Sequence, residues 1–484
     1  MVDNADRYRR RLIRTALASA LLLPTALGSA AQTPLRWNTA PPSTATSATA
    51  PAMPDADPTP AAAIVLPSQP AGIPAYQPPT EQVMPPASGF DVRLFEAMAQ
   101  ELVANQRVPG MAMAIVQGGQ VLSARGYGLT DVRNAEAVDA HTVFRLASLS
   151  KAFAGTVTGM LVNEGALRWD SRVADYLPAL QFSDPLAARR LTVAEVLSHR
   201  VGLTRNTYDR DLERNADYNS LVQKLAHAPM ACAPGHCYSY QNIAFSLVGD
   251  VVFGATGQFY SEAVSHRIFK PLGMNDASYG LEGIEASPRW AKPHVRAGGG
   301  WISLTPKPSY YRVAPAAGVN ASISDMAQWL LAHSGHRRDV LPAPLLATLH
   351  APIVATPGEL RGSSWRRQRL NAAGYAIGWR VYDYAGHRVV FHGGSVQGYR
   401  GMIAMMPERD VGVVILWNSE SSLPSGLLPT ILDRAIGLPA QRWLDVDTSF
   451  ETLYAADDGD ATPSVNGAAA NGGADASKAN AKPH

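Results

Sequence analysis

Two groups of strand-like segments, far apart in the chain, constrain the fold more than any other feature. The first group is a hairpin, in which residues 111–116 and 121–126 are strand-like and 117–120 supply a turn with two glycines. The second group contains four segments, at 375–384, 389–392, 401–406 and 412–417. Because the sequence between the groups is typical of helices and loops, we predict one antiparallel sheet built by both ends of this region, with a helical region inserted between them.

Helices are predicted at three places between the strand groups, which are residues 150–163, 192–198 and 324–332. Ser324, followed by Asp325, is the predicted cap of the last of these helices. In the first helix, Phe153, Val157 and Leu161 recur at every fourth residue and form one apolar face. Burial of that face would hold any reactive group at the helix start in a fixed position.

A serine and a lysine stand three positions apart at the start of this helix, in Ser148-Leu149-Ser150-Lys151. Residues i and i+3 share a helical face, so the hydroxyl of Ser148 and the amine of Lys151 can meet. A serine hydroxyl is a poor nucleophile until a base takes its proton; a desolvated lysine can be that base, whereas arginine cannot deprotonate in a protein. Lys151 is the first of seven Lys in a chain with 35 Arg. The pattern indicates a nucleophile and its base, although a serine cap beside an exposed lysine reads the same way.

Two later segments carry residues that suit acyl transfer. A phenol such as that of Tyr240 can take part in proton transfer near a lysine ammonium, and Asn242 offers both a donor and an acceptor. Further on, His392-Gly393-Gly394-Ser395 follows an apolar strand. Its paired glycines let a substrate backbone approach a sheet edge, and the next N–H can point at an oxyanion. Taken singly, each segment also fits a purely structural role. Tyr240 could be a buried tyrosine with a satisfied hydroxyl, and the segment at His392 could be a tight turn with a surface histidine.

The two cysteines, Cys232 and Cys237, bracket Ala-Pro-Gly-His. In an oxidising compartment this pair can close a small loop as a disulfide. A pair of free thiols is the alternative. A metal site with His236 as a third ligand is a weaker interpretation, because a fourth ligand is not evident.

The chain ends have the composition of export and linker segments. Residues 1–31 combine arginines, an apolar run and small residues at the end, which predicts a signal peptide for the Sec or twin-arginine route, with an uncleaved anchor as the alternative. Residues 32–88 hold 14 of the 36 Pro and are predicted to be a disordered linker, as is the tail at 455–484. The folded domain is then 89–454, in a periplasmic or secreted protein without a transmembrane anchor once the signal is cleaved. The net charge of +2, with no basic run beyond the signal and 361–369, argues against nucleic acid as a partner.

In the order and spacing of Ser148-x-x-Lys151, Tyr240-x-Asn242 and the strand at His392, the chain resembles the penicillin-recognising serine hydrolases. These are the class C β-lactamases, the D-alanyl-D-alanine carboxypeptidases of the same branch and related esterases. The resemblance runs over nearly all of residues 90–450. It implies an α+β fold of the β-lactamase/transpeptidase type, with a five-stranded antiparallel sheet flanked by helices and an all-α lobe.

The resemblance also implies roles for particular residues. Ser148 would be the acylated nucleophile, Lys151 and Tyr240 would share the proton transfers, and Asn242 would hold the substrate amide and orient Lys151. The backbone N–H groups of Ser148 and Ser395 would form the oxyanion hole. The resemblance implies neither a metal nor an organic cofactor.

The chain departs from the β-lactamase pattern on the strand that faces the nucleophile. Those enzymes usually carry Lys-Thr-Gly, whereas this chain has His392, Gly393 and Gly394 as its predicted substrate-binding residues. An ammonium is thereby replaced by an imidazole that is mostly neutral at pH 7, and a hydroxyl is lost. Arg400 is the predicted replacement anchor for a substrate carboxylate, with a surface ion pair as the alternative.

These observations predict an exported serine hydrolase that forms an acyl-enzyme on Ser148. Its substrate would be a small molecule or peptide with an amide or ester bond, including a D-amino-acid peptide of cell-wall origin, and peptidoglycan would be a candidate partner. A class C-like β-lactamase is the first alternative. A non-catalytic penicillin- or peptidoglycan-binding domain is the second alternative. The presence of all four predicted catalytic residues weighs against it; these are Ser148, Lys151, Tyr240 and Asn242.

Overall fold

A computed structural model describes residues 83–444 of the chain. The predicted signal at 1–31, residues 32–82 of the predicted linker, residues 445–454 and the predicted tail at 455–484 lie outside the described residues. The last part of the predicted linker does contact the domain, because the backbone N–H groups of Met84 and Ala87 donate to the carbonyl oxygens of Glu408 and Ala435.

The described residues form fourteen strands and sixteen α-helices. The strands are β1 Gly110–Gln117, β2 Gln120–Asp131, β3 Asn134–Ala137, β4 Val143–Arg145, β5 Ser278–Tyr279, β6 His294–Ala297, β7 Gly300–Ser303, β8 Val319–Ser322, β9 Val354–Ala355, β10 Leu370–Tyr375, β11 Arg380–Tyr384, β12 His387–Val396, β13 Tyr399–Met406 and β14 Val411–Trp417. The helices are α1 Val92–Ala104, α2 Ser150–Asn163, α3 Val173–Tyr176, α4 Pro185–Arg190, α5 Val193–Leu197, α6 Asp209–Glu213, α7 Tyr218–Lys224, α8 Ile243–Thr256, α9 Tyr260–Val264, α10 Lys270–Leu272, α11 Gly280–Glu285, α12 Ala314–Ala317, α13 Ile323–Leu331, α14 Ala343–Leu349, α15 Ser364–Arg369 and α16 Leu427–Ala435.

One antiparallel sheet contains both strand groups, as predicted from the sequence. Its order is β3-β2-β1-β14-β13-β12-β11-β10-β9, and β1 pairs with β14 from Met111–Trp417 to Gln117–Val411. The sheet therefore has nine strands in the described residues, rather than the five that the resemblance implied. The added outer strands include β3 and β9, which are short and lack the alternation of polar and apolar residues by which strands are recognised.

The segment 375–384, predicted as one strand, is divided between β10 and β11 by a turn at 376–379. Gly378 has φ +74° in this turn, and a Cβ there would overlap the carbonyl oxygen of Lys151. On the facing helix α2, a Cβ at Gly155 would lie 2.5 Å from the carbonyl oxygen of Ile377. The two glycines thus let helix α2 pack directly on the turn, and that tertiary contact ends the strand.

Each face of the large sheet packs on its own hydrophobic core. Alternate residues of β1 divide between the two: Ala112 and Ala114 belong to the core with the central helices, whereas Met111 and Met113 belong to the core with α1 and α16. Helix α2 lies in the first core and is buried on nearly all sides, with Phe153 stacked on Trp329 of α13 at 4.0 Å. Since a helix of this kind has no solvent face, its start is held rigidly.

The helical region between the strand groups follows the prediction with small shifts. Residues 173–272 hold helices α3–α10, and α5 begins after Thr192, which forms a capping box with Glu195. The predicted cap of α13 is wrong by two residues. Ser322, not Ser324, caps this helix, because the hydroxyl of Ser322 accepts from the N–H of Asp325 while the Asp325 carboxylate accepts from the Ser322 N–H.

Candidate active site

Ser148 stands in a tight turn between β4 and α2, with its side chain at the bottom of a cleft. The preceding residue, Ala147, has φ +49°, which is the left-handed region that a residue with a Cβ rarely adopts. Such strain typically requires about 1–3 kcal/mol from the surrounding structure and is concentrated at functional sites. Ser148 remains partly exposed, whereas Ala147, Leu149 and Ser150 around it are buried.

The structure brings together the four residues that the sequence assigned to catalysis. The Tyr240 hydroxyl lies 3.0 Å from Oγ of Ser148, and Nζ of Lys151 lies 3.3 Å from the same atom. Nζ of Lys151 also donates to Oδ1 of Asn242 at 2.7 Å and to the carbonyl oxygen of Ala316 at 3.1 Å. Ser148 is therefore flanked by a phenol and an amine, which is the arrangement that activates a hydroxyl for nucleophilic attack.

The Lys151 amine is surrounded by oxygen atoms. Its side chain is fully buried, and its three oxygen neighbours match the three N–H groups of an ammonium. Its Nζ also lies 4.6 Å from the centroid of the Tyr240 ring. A positive charge on Nζ would stabilise a negative charge on Tyr240 or Ser148.

Asp209 fixes the orientation of Asn242 and was not identified from the sequence. Its Oδ2 accepts from Nδ2 of Asn242 at 2.7 Å, so the amide oxygen is directed at Lys151. A carboxylate only accepts hydrogen bonds, and for this reason the amide cannot reverse without losing both contacts. The sequence signal was weak, since Asp209 begins a five-residue helix in a segment that has several charged residues.

His199 supports Tyr240 from behind and also received no role from the sequence, although the segment that contains it contributed to the resemblance. Its ring lies 4.3 Å from the Tyr240 ring and 4.8 Å from the Tyr375 ring, and its Nδ1 accepts from the backbone N–H of Gln241 at 3.2 Å. Burial, followed by the charge of Lys151, lowers the pKa of His199 well below its usual range. His199 is therefore a neutral packing partner that holds Tyr240 in place.

The cleft above Ser148 has a volume of about 1060 Å³. Its lining includes residues from the segments 205–214, 307–310 and 395–397, together with Glu420. Most of these side chains are charged or polar, including Arg205, Arg210, Asp211 and Glu213. The cleft also reaches Arg145, a buried cation whose guanidinium stands 3.6 Å from the centre of the Tyr311 ring. A cleft of this size and polarity suits an extended polar ligand.

Strand β12 passes close to the backbone of Ser148, where the resemblance implied an oxyanion hole. A Cβ on Gly394 would overlap the carbonyl oxygen of Leu146 and would lie 3.2 Å from the Ser148 nitrogen. Gly394 is therefore needed for contact between the strand and the nucleophile turn, rather than for space beneath a substrate as the sequence suggested. Ser395, the next residue, lines the cleft together with Ser148.

His392 lies behind the cleft and not in its wall. Its Nε2 contacts the Tyr375 hydroxyl at 3.1 Å, and its Nδ1 lies 2.7 Å from the carbonyl oxygen of Gly393. Burial, with the charges of Arg380 and Lys151, lowers the pKa of His392 well below its usual range. The structure thus places a neutral imidazole here, and the predicted substrate contacts of His392 and Gly393 are replaced by internal ones.

Arg400 points away from the cleft. It pairs in register with Ser395 of β12 and Trp417 of β14, and Trp417 belongs to the core on the α1 and α16 side. Arg400 shares the face of its paired residue Trp417, which is opposite to the Ser148 turn, and it lines a second, small pocket with Trp365. The predicted carboxylate anchor is therefore absent from the cleft wall, because strand alternation turns its guanidinium away.

Cys232 and Cys237 are joined by a disulfide, with their Cα atoms 6.2 Å apart. The bonded sulfurs are not available to a metal, and residues 83–444 contain no group of three His, Cys, Asp or Glu side chains arranged to hold one. Within the same residues no single helix is long and apolar enough to cross a membrane; α8 joined to the segment Tyr260–Leu272 meets that requirement only as a pair bent by 80°.

Comparison with known proteins identifies the class. The Beta-lactamase family model matches residues 95–437, and the chain therefore belongs to the beta-lactamase family, a family of hydrolases. This membership confirms the resemblance found in the sequence and, with the large antiparallel sheet flanked by helices, the predicted fold class.

Individual relatives are distant. The unguisins hydrolase ungD of Aspergillus violaceofuscus is 24% identical over 387 residues, which are 75% of this chain and 68% of that protein. Penicillin-binding protein 4 of Amycolatopsis lactamdurans is 27% identical over 341 residues, which are 68% of this chain and 86% of the relative. Among solved structures, the octameric penicillin-binding protein homologue of Pyrococcus abyssi has a TM-score of 0.64 at 24% identity, covering 73% of this chain and 79% of its own.

Proposed function

We propose that this protein is an exported serine hydrolase that cleaves an amide or ester bond through an acyl-enzyme on Ser148. The observation that carries the proposal is the position of the Ser148 Oγ, which has the Tyr240 hydroxyl at 3.0 Å and the Lys151 Nζ at 3.3 Å at the bottom of an open cleft. Few structural requirements other than activation of a hydroxyl call for a buried cation and a phenol on the same serine. The beta-lactamase family membership supports hydrolysis in general.

The geometry suggests a sequence of proton transfers. Tyr240, as a phenolate stabilised by the Lys151 ammonium, takes the hydroxyl proton while Oγ of Ser148 attacks the carbonyl carbon. The backbone N–H groups of Ser148 and Ser395 stabilise the oxyanion, and the proton on Tyr240 passes to the departing amine or alcohol as its bond to carbon breaks. Water then donates a proton to Tyr240 and attacks the carbonyl carbon of the acyl ester. As the bond from that carbon to Oγ breaks, Tyr240 returns the proton to Ser148, and the acid is released.

The cleft favours a peptide over a lipophilic ester as the substrate. Its walls at 205–214 and 307–310 are rich in charged groups of both signs, which pair well with the amides and termini of a peptide. We infer a D-amino-acid peptide of cell-wall origin from the family resemblance, and the relative named penicillin-binding protein 4 is consistent with this class. Export rests on the N-terminal sequence pattern and on the disulfide, since such bonds persist in oxidising compartments.

The first experiment follows the intact mass of the protein mixed with benzylpenicillin, a D-alanyl-D-alanine peptide or a p-nitrophenyl ester, with release of product measured in parallel. We expect covalent adducts on Ser148 and turnover of the peptide or ester, and Ser148→Ala should abolish both. Fast turnover of benzylpenicillin would favour the β-lactamase alternative. Hydrolysis that persists in the folded Ser148→Ala variant would contradict the nucleophile assignment.

A further inference from the structure

We propose that a buried cluster of Glu359, Arg366 and Arg380 supplies the positive charge that stabilises the phenolate form of Tyr240. This inference rests on the proposed function, in which Tyr240 is the proton acceptor. It gives a role to residues on β11 and in the segment 357–369, which do not belong to the four proposed catalytic residues. All three side chains are buried and lie outside the cleft.

The cluster carries excess positive charge. Glu359 accepts from Arg380, from Arg366 at 2.9 Å and from the Tyr382 hydroxyl at 2.6 Å. Two guanidinium groups therefore share one carboxylate, and the formal sum is one positive charge in a region closed to water. A positive charge in such a region lowers the free energy of a negative charge placed near it.

The field of the cluster reaches the catalytic tyrosine. The Arg380 guanidinium lies 5.6 Å from the centroid of the Tyr240 ring and 5.7 Å from that of the Tyr375 ring. Its effect is visible on two neighbouring histidines, because after burial the charge of Arg380 contributes to the lowered pKa of both His199 and His392. A cation that disfavours a positive imidazole at this distance favours a negative phenolate for the same reason.

The other groups described below that face Tyr240 do not supply positive charge, so the cluster and Lys151 are its sources. His199 packs on its ring and His392 approaches through Tyr375, but both imidazoles are neutral. Asp209 is the nearest acidic group on the opposite side, and its carboxylate is bonded to Asn242. Tyr238 contacts the His199 and Tyr375 rings.

The cluster thus compensates for the departure from Lys-Thr-Gly. Where relatives have an ammonium on the strand that faces the nucleophile, this chain has the neutral His392. The positive charge is provided instead from β11, the neighbouring strand, because Arg380 pairs in register with Phe391 immediately before His392. The Arg380 guanidinium lies close to the Tyr240 ring but does not line the cleft.

The test uses two substitutions that change the charge in opposite directions. Arg380→Gln removes one positive charge and should raise the pKa of Tyr240, so the acid limb of the pH profile of kcat/KM for p-nitrophenyl acetate should move to higher pH. Glu359→Gln removes the negative charge and should move the same limb to lower pH. A displacement on the order of one pH unit in each direction is expected for a unit charge at this separation. Arg380→Lys keeps the charge and should leave the limb unchanged.

Arg369→Gln is the matched control, since it removes a guanidinium that pairs with a buried carboxylate, Asp433, remote from Tyr240. A structural defect would lower the rate in all variants without moving the limb in opposite directions. The same displacements should appear in the ionisation of Tyr240, followed by NMR of tyrosines labelled with ¹³C at Cζ in the Ser148→Ala background and assigned with Tyr240→Phe. This readout needs no turnover and distinguishes failure of the proposed function from failure of this inference. Displacements that are absent or of one sign would overturn the role of the cluster.

Discussion

Replacement of Gly394 by alanine tests how the sheet and the nucleophile turn are held together. The added methyl group would overlap the carbonyl oxygen of Leu146 and would lie 2.7 Å from Cδ1 of Leu149 and 3.2 Å from the nitrogen of Ser148. The leucine end can rotate, but the carbonyl oxygen moves only if the turn moves. Overpacking of this kind costs about 1–3 kcal/mol. A displacement of about 1 Å in the Ser148 backbone would also lower kcat by about 10²-fold, because the oxyanion donor moves with it.

Gly401, which pairs with Gly394 on the neighbouring strand, offers a matched control. A methyl group there would meet Cδ2 of Leu416 at 2.9 Å, the movable end of a side chain, and the next atom is 3.5 Å away. Gly401→Ala should therefore lose less stability and retain most of its activity. The assays are urea unfolding followed by circular dichroism and hydrolysis of a p-nitrophenyl ester. Equal stability and full kcat in both variants would refute the proposed coupling between Gly394 and the Ser148 turn.

Three further predictions concern single interactions. Burial, followed by the charge of Arg388, lowers the pKa of His350 from 6.5 to about 3, so its contribution to stability is complete above pH 6.5 and is lost as the pH falls towards 3. Between pH 7.5 and 5, the decrease in the free energy of unfolding measured with urea should therefore be about 2 kcal/mol smaller in His350→Gln than in the wild type, in which other buried histidines contribute as well. Lys151→Arg should lower kcat by about 10²-fold or more in steady-state assays, because a planar guanidinium cannot meet the three acceptors of Nζ; retention of activity would show that charge alone is required. Replacement of Cys232 and Cys237 by serine should lower the free energy of unfolding by about 2 kcal/mol, and an unchanged urea midpoint would show that the disulfide does not stabilise the fold.

Much of the fold was predictable because it depends on local patterns. The hairpin of β1 and β2, helix α2 and strands β12–β14 were all recognised from alternation, helical spacing or turn residues. The division of β10 from β11 was not, since Ala376, Ile377 and Trp379 are apolar and continue the strand pattern through a buried turn. The turn is imposed by helix α2, whose contact with Gly378 has no local sequence signal.

Some residues of the candidate site were likewise predictable from local spacing, whereas others are brought together only by tertiary contacts. Ser148 and Lys151 share a helix start, so their spacing alone brought the hydroxyl and the amine together. Asp209, His199 and Arg380 lie beside Asn242 or Tyr240 although they come from distant parts of the chain, and no spacing rule connects them.

The sequence by itself determined the family, the large antiparallel sheet and the identities of the four central site residues, because each of these depends on short-range patterns or on motifs in a fixed order. The tertiary structure alone decided the direction in which each side chain points. Arg400 faces the far side of the sheet, and His392 is buried and neutral, because strand register and burial determine which face a residue occupies and whether it can hold a charge. The same packing places the Arg380 guanidinium 5.6 Å from the centre of the Tyr240 ring, although the two residues lie far apart in the chain.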